Sequence, residues 1–220
     1  LGTWKGIRGW TSVGQYKEEK AVAEAKYQPL YDKYLKQDVK AVAADPEAQA
    51  MGKRLFQTYC VQCHGSDARG AKGFPNLTDN DWLYGGDAKT IHTTIAGGRQ
   101  GQMPAFGAAF GEEKVKDVAN YAMSLSGKKH DADRAARGKE TFAAICSACH
   151  GADGKGNQAM GAPNLTDNVW LYGGTEKTII ETVTNGRNNQ MPAWKDFLGD
   201  GKVHLLTAYV YGLFNNAKGQ

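Results

Sequence analysis

The sequence predicts an all-α protein in which one small helical domain occurs twice in tandem behind an N-terminal helical arm. Three observations predict it. The pentapeptide Cys60-Val61-Gln62-Cys63-His64 recurs as Cys146-Ser147-Ala148-Cys149-His150, and the two stretches hold all four cysteines of the 220-residue chain. The residues flanking both pentapeptides recur in register. Apolar residues between these landmarks return at the 3.6-residue spacing of a helix face.

Residues 1–45 form the arm and its helix. Residues 1–13, rich in Gly, Trp and Thr, read as irregular; Trp4 and Trp10 either pack on the protein's own surface or meet a membrane or partner. From Gln15 to about Ala44 the pattern is helical. Tyr27, Leu30, Tyr31, Tyr34 and Leu35 make one stripe, read as a packing face, and Pro29 is expected to kink or break the helix. Asp45-Pro46 is a helix start, with Asp as N-cap and Pro at the first helical position, and opens the first domain, residues 46–127. This helix runs through Gly52 and Phe56 into the first pentapeptide. Glu112 and Glu113 open a later helix, with negative charge where the helix dipole favours it. Its Val115, Val118, Ala119, Ala122 and Leu125 form the apolar face. The polar stretch after it, with His130 solvated, reads as a linker, residues 128–137, and the second domain is 138–220.

The second domain repeats the first. Gly52, Phe56, Cys60, Cys63 and His64 map onto Gly138, Phe142, Cys146, Cys149 and His150 with a shift of 86. Pro75-Asn76-Leu77-Thr78-Asp79-Asn80, Trp82-Leu83-Tyr84-Gly85-Gly86, Gly98-Arg99 and Gln102-Met103-Pro104-Ala105 recur with a shift of 88. The loop after the second pentapeptide is therefore two residues longer. Each copy is small for an independent core, so a buried prosthetic group is expected to supply the missing apolar centre.

C-x-x-C-H has the chemistry of covalent haem attachment. Two thiols one turn apart form thioether bonds to the vinyl groups, and the adjacent imidazole ligates the iron. The other readings are two redox dithiols or one zinc site made from all four cysteines, but neither needs a His after each pair. Two covalently bound haem c groups are therefore expected, attached at Cys60 and Cys63 and at Cys146 and Cys149, with His64 and His150 as iron ligands. The sixth iron position separates carriers from catalysts, because a thioether there favours the ferrous state and closes the iron to substrates. Met103 and Met191 are the candidates, in loops of identical Gln-Met-Pro-Ala context. Met51, Met123 and Met160 lack such a pairing, and His92 and His204 lack a counterpart and read as structural. Whether each Met serves its own repeat or crosses to the other haem stays open; crossing would break up each compact repeat. Pro75 and Pro163 either accept a hydrogen bond from the His Nδ1–H or shape their loops. Arg99 and Arg187 either pair with haem propionates or stay solvated, and Trp82 and Trp170 pack at the haem edge or in the core.

A charge of +4, from 27 basic and 23 acidic residues, is too balanced for a nucleic-acid binder. No apolar run approaches a transmembrane helix and no signal peptide is visible, so the chain as given is expected to be soluble. It opens on Leu1 without an initiator Met and is expected to be a processed or truncated piece. Covalent haem implies the outer side of an energy-transducing membrane.

These residues resemble class I cytochrome c domains, which implies two tandem all-α domains of that class. The fuller resemblance is to the dihaem subunit, subunit III, of cbb3-type cytochrome c oxidases. It is carried by Gly-Thr-Trp-Lys-Gly at the start, both Pro-Asn-Leu-Thr-Asp-Asn-x-Trp-Leu-Tyr-Gly-Gly stretches and both Met-Pro-Ala segments. The resemblance implies electron relay from soluble cytochrome c donors toward a haem-copper catalytic subunit and a monohaem cytochrome c subunit. It places the chain on the periplasmic side of the bacterial inner membrane, held by an N-terminal anchor this sequence lacks. Nothing in the chain resembles a copper site or an open iron. Two rivals differ in class: a free dihaem carrier similar to cytochrome c4, to which the Tyr-rich arm is surplus, and a dihaem peroxidase, which needs one iron without a Met.

Overall fold

The computed structural model describes residues 9–216; Trp4 lies outside them. Thr11 caps the first helix, α1 (Ser12–Leu35), its Oγ1 accepting from Gly14 N at 2.9 Å. Contrary to expectation, α1 runs through Pro29 uninterrupted. Residues 21–29 are exposed throughout, so the carbonyl that Pro29 leaves without a donor is hydrated. The break falls instead after Leu35, where Asp38 caps α2 (Val39–Ala44) by accepting from Lys40 N at 2.8 Å. Of the predicted stripe, Leu30, Tyr31 and Tyr34 pack with Val42, Ala48, Met51, Leu205 and Ala208, while Tyr27 and Leu35 stay exposed. Tyr34 is fully buried and its hydroxyl donates to Glu47 Oε2 at 3.0 Å; burial, first of all, pushes its pKa up to about 12. Trp10 is exposed, with Nε1 donating to Gln15.

Asp45 caps α3 (Pro46–Tyr59) as predicted, accepting from Glu47 N and Ala48 N. Then follow α4 (Val61–His64), α5 (Ala88–Gly97) and a strand, β1 (Arg99–Met103). Next comes α6 (Gly107–Leu125), whose regular part begins at the expected acidic pair because Gly111 is non-helical. Residues 128–137 are not a linker for most of their length: Asp131 caps α7 (Ala132–Thr141), accepting from Arg134 N at 3.0 Å. The buried face of α7 is only Ala135 and Gly138, too small to show as an apolar stripe. A π-helical turn, Phe142–Cys146, leads into α8 (Ser147–His150). The chain ends with α9 (Glu176–Asn185), β2 (Arg187–Met191), α10 (Lys195–Leu198) and α11 (Asp200–Asn216).

The protein is mostly helical, with one correction: the methionines expected in loops end two strands that pair antiparallel, Arg99 opposite Met191 and Met103 opposite Arg187. Arg-Gln-Gly-Gln-Met and Arg-Asn-Asn-Gln-Met lack the apolar alternation that would announce strands. This ribbon carries each copy's remainder to the other. One packed unit joins α3 and α5 to α11, with Phe56, Ile91, Ile95, Val203, Leu206 and Tyr209 at its centre. The other joins α6 to α7 and α9, around Val115, Val118, Ala119, Ile179 and Val183. The spans 46–127 and 138–220 are thus copies in sequence, while packing pairs the front of each with the back of the other. Corresponding contacts show the exchange twice. Phe56 meets Tyr209 at 5.5 Å between ring centroids, and Phe142 meets Tyr121 at 5.1 Å.

Two devices hold α6 to α7. At Gly138 the helices approach so closely that a Cβ would collide with the Asp117 carbonyl and Val118 N. Asp117, buried on α6, receives Arg137 Nε and Nη2, each at 2.9 Å, and Arg134 Nη1 at 3.1 Å. Arg137 chiefly, then Arg134, holds the Asp117 carboxyl below the ordinary carboxylate range.

Gly138→Ala is expected to cost about 1–3 kcal/mol of stability in denaturant unfolding through overpacking. Gly97→Ala, where the added methyl meets open space, is expected to cost nothing. Because the folded-state pKa of Asp117 is lowered, its contribution is complete above the unfolded value of ~4 and fades as pH falls through the folded one. Asp117→Asn is therefore expected to lose about 1.5–3 kcal/mol at neutral pH. Unfolding curves taken across pH should show that gap closing in acid.

Candidate functional site

Each C-x-x-C-H segment sits at the end of a long helix, on a short turn that brings the His ring inward: His64 on α4 and His150 on α8 are both buried. The chain after each His folds back, with Gly70 N donating to His64 O and Gly156 N to His150 O, each at 2.8 Å. This return sets the Pro75 carbonyl 3.1 Å from His64 Nδ1 and the Pro163 carbonyl 3.1 Å from His150 Nδ1. The two extra residues of the second loop are absorbed where the bridge Ala71–Phe74 becomes Asn157–Ala162.

The tautomer follows from these bonds. A carbonyl only accepts, so Nδ1 carries the proton in both rings. Burial pushes both imidazole pKa values down, against the smaller upward pull of the carbonyl, so each ring is neutral and Nε2 offers a bare lone pair. Of the two readings for the prolines, the accepting one is what the structure shows. The loops are braced by a device that sequence reasoning passed over. Asn76 Oδ1 accepts from Thr78 N at 2.9 Å and from Thr78 Oγ1 at 2.8 Å; Asn164 and Thr166 repeat both bonds at the same lengths.

Cys60, Cys146 and Cys149 are partly buried and Cys63 is exposed. Burial pushes Cys60 up to about 11 and Cys146 upward, the opposite of the activated thiolate a redox dithiol needs. Among the described residues no three His, Cys, Asp or Glu side chains gather as a metal site.

The structure distributes the predicted site residues between the two packed units in an exchanged pattern. Met191, Cys60, Leu77 and Trp82 line the core of the His64 unit. Met103, Cys146 and Trp170 line the core of the other. Backbone bonds lock this in place: Trp194 N donates to Ile95 O at 3.1 Å, and Phe106 N to Val183 O at 2.9 Å. Trp82 and Trp170 donate Nε1 to the Asp79 and Asp167 carbonyls, each at 3.2 Å. Arg99 lies 4.6 Å over the Tyr84 ring and donates to Thr94; Arg187 lies 4.2 Å over Tyr172 and donates to Thr182. Met51 and Met123 are buried on their helices and Met160 is exposed. His204 is buried in α11.

The two units touch through these loops, with roles interchanged. Gly73 N donates to Leu171 O at 2.8 Å and Gln158 Nε2 to Trp82 O at 3.0 Å, while Tyr84 packs against Gly161 and Tyr172 against Gly73. The hydroxyl of Tyr172 is buried with no hydrogen-bond partner among the described residues. A buried donor left over beside an arginine, a bare imidazole nitrogen, two thiols and a thioether are a donor set that fits haem c, the orphan hydroxyl suiting a propionate. Among the described residues no helix is long and apolar enough to cross a membrane.

Comparison with known proteins agrees with this chemistry. The family described as cytochrome C oxidase, cbb3-type, subunit III matches residues 47–121 and 133–210. The chain is 51% identical over 214 residues to the cbb3-type cytochrome c oxidase subunit CcoP of Rubrivivax gelatinosus, covering 97% of this chain and 70% of that protein. It is 45% identical to the CcoP subunit of Cereibacter sphaeroides, over 80% of this chain and 66% of that one. It is also 41% identical to the FixP subunit of Azorhizobium caulinodans, over 94% and 75%. The chain belongs to the subunit III family of cbb3-type cytochrome c oxidases.

Proposed function

We propose that this chain is a dihaem electron relay of a cbb3-type oxidase with exchanged iron ligands. One haem c is held by Cys60, Cys63 and His64 with Met191, the other by Cys146, Cys149 and His150 with Met103. When bound, each haem supplies a one-electron ferric–ferrous couple. The residues do the rest. Pro75 and Pro163 orient the imidazoles, Nε2 binds the metal, and the ribbon delivers a thioether that excludes other ligands. The loops around Tyr84 and Tyr172 set the two centres against one another.

The observation that carries this reading is that each Met packs against the same core cluster as the opposite copy's Cys and Trp. The relay takes electrons from soluble cytochrome c donors and passes them toward the haem-copper catalytic subunit and the monohaem cytochrome c subunit. It works on the periplasmic side of the bacterial inner membrane. An upstream anchor would hold the His64 unit nearest the membrane, since α1 packs on α11 of that unit.

Paired substitutions test the ligand sets through the near-infrared sulfur-to-iron band of the oxidised protein. His64→Ala with Met191→Ala is expected to spare half the band, because both changes strike one iron. His64→Ala with Met103→Ala is expected to abolish it. The reverse pattern would return each Met to its own repeat and overturn the exchanged assignment.

A further inference from the structure

The two sites are built alike but are not alike in charge. Arg99 and Arg187 hold corresponding places, each directly across the ribbon from the thioether of its own unit, Met191 and Met103 respectively. Directly opposed side chains on a ribbon have Cβ atoms about 5 Å apart. Each arginine is therefore a cation that the backbone fixes beside its Met. Both stack on a tyrosine and bond the same threonine of the preceding helix, Thr94 or Thr182.

The match fails one residue earlier. Glu181 Oε1 receives Arg187 Nη1 at 2.9 Å, whereas the corresponding residue in the first copy is Thr93. Among the described residues, Arg99 has Thr94 as its side-chain hydrogen-bond partner and no carboxylate. The Arg187 side chain is 20% exposed, so water screens its charge only in part and a bonded carboxylate changes the local field.

We infer that Glu181 is a tuning residue that makes the two haem centres electrically unequal, by cancelling the charge of Arg187 while Arg99 keeps its own. This rests on the two-centre reading above. Reduction adds one electron to a site, so an uncancelled cation beside it favours the ferrous state and a cancelled one does not. Glu181 thereby lowers the affinity of the His150 centre for an electron and biases a shared electron toward the His64 centre. Two further unmatched charges bear on the same balance: Asp81, where the second copy has Val169, and Lys128, 5.7 Å over the Trp170 ring. The consequence of Glu181 is accordingly read as a change on substitution, not as the absolute order of the two centres.

The test is a spectroelectrochemical titration of the intact dihaem chain that resolves both transitions. The His150 centre is identified as the transition lost in His150→Ala, so the assignment does not pass through either Met. Glu181→Gln is expected to shift the one-electron distribution toward the His150 centre by about three- to tenfold, ~28 to ~59 mV for a one-electron couple. Thr93→Glu, which places a carboxylate beside Arg99, is expected to lower the potential of the His64 centre instead. Both shifts should shrink at high salt, which loosened packing alone would not produce. If Glu181→Gln moved neither transition, or moved both together, the inference would be overturned, with the ligand assignment untouched. A shift confined to the His150 centre upholds it, and one confined to the His64 centre overturns it.

Discussion

The connection between α6 and α7, residues 126–131, is the constraint from which the architecture follows. α6 ends in a Schellman turn, with Lys128 N bonded to Met123 O and Gly127 N to Ser124 O, each at 3.1 Å, so the chain reverses at once. Asp131 then caps α7, and Asn120 Oδ1, buried on α6, accepts from Asp131 N at 2.8 Å. A connection this short favours antiparallel packing of sequence neighbours. The place on α6 that its own copy's first helix would occupy is filled by the first helix of the next copy. Once α6 is committed to α7, α3 is left facing α11, and β1 and β2 must cross between the units. They satisfy their backbone groups by pairing with each other.

The exchange has consequences for the centres. Under the proposed assignment neither copy supplies a complete ligand set by itself, so each iron site would form only when both halves of the chain have folded. Loosening α6 from α7 therefore acts on the unit that holds His150, and loosening α3 from α11 acts on the one that holds His64. The ribbon between them is rigidly keyed. A Cβ at Gly98 would strike the Met191 carbonyl and one at Gly186 the Met103 carbonyl, so each strand's start is fitted to the other's end. Such a coupling positions the Met103 and Met191 thioethers with one element.

Much of this was legible in the residues. The C-x-x-C-H pentapeptides, the cap Asp45 and the apolar face of α6 carry strong local signals, because burial and capping act on neighbouring side chains. The Pro75 and Pro163 carbonyls had two open readings in the sequence, acceptor or loop former, and the fold decides for the acceptor. What escaped notice depends on distant partners. β1 and β2 are polar on both faces and pair only with each other. α7 buries an Ala and a Gly, which carry no hydrophobic periodicity. The crossing of the methionines is a matter of topology: Gln-Met-Pro-Ala reads identically whether its Met turns to one haem or the other. Glu181 was hidden because the duplication invites attention to residues that match, and its significance lies in failing to match Thr93.

The central claim is that each iron is ligated by one copy's histidine and the other copy's methionine. Proton NMR of the fully reduced protein measures this most directly, through the ε-methyl resonance of Met191, displaced by the haem ring current. Nuclear Overhauser contacts from that methyl to the haem attached at Cys60 and Cys63 are the predicted result. Contacts to the haem attached at Cys146 and Cys149 would contradict the account.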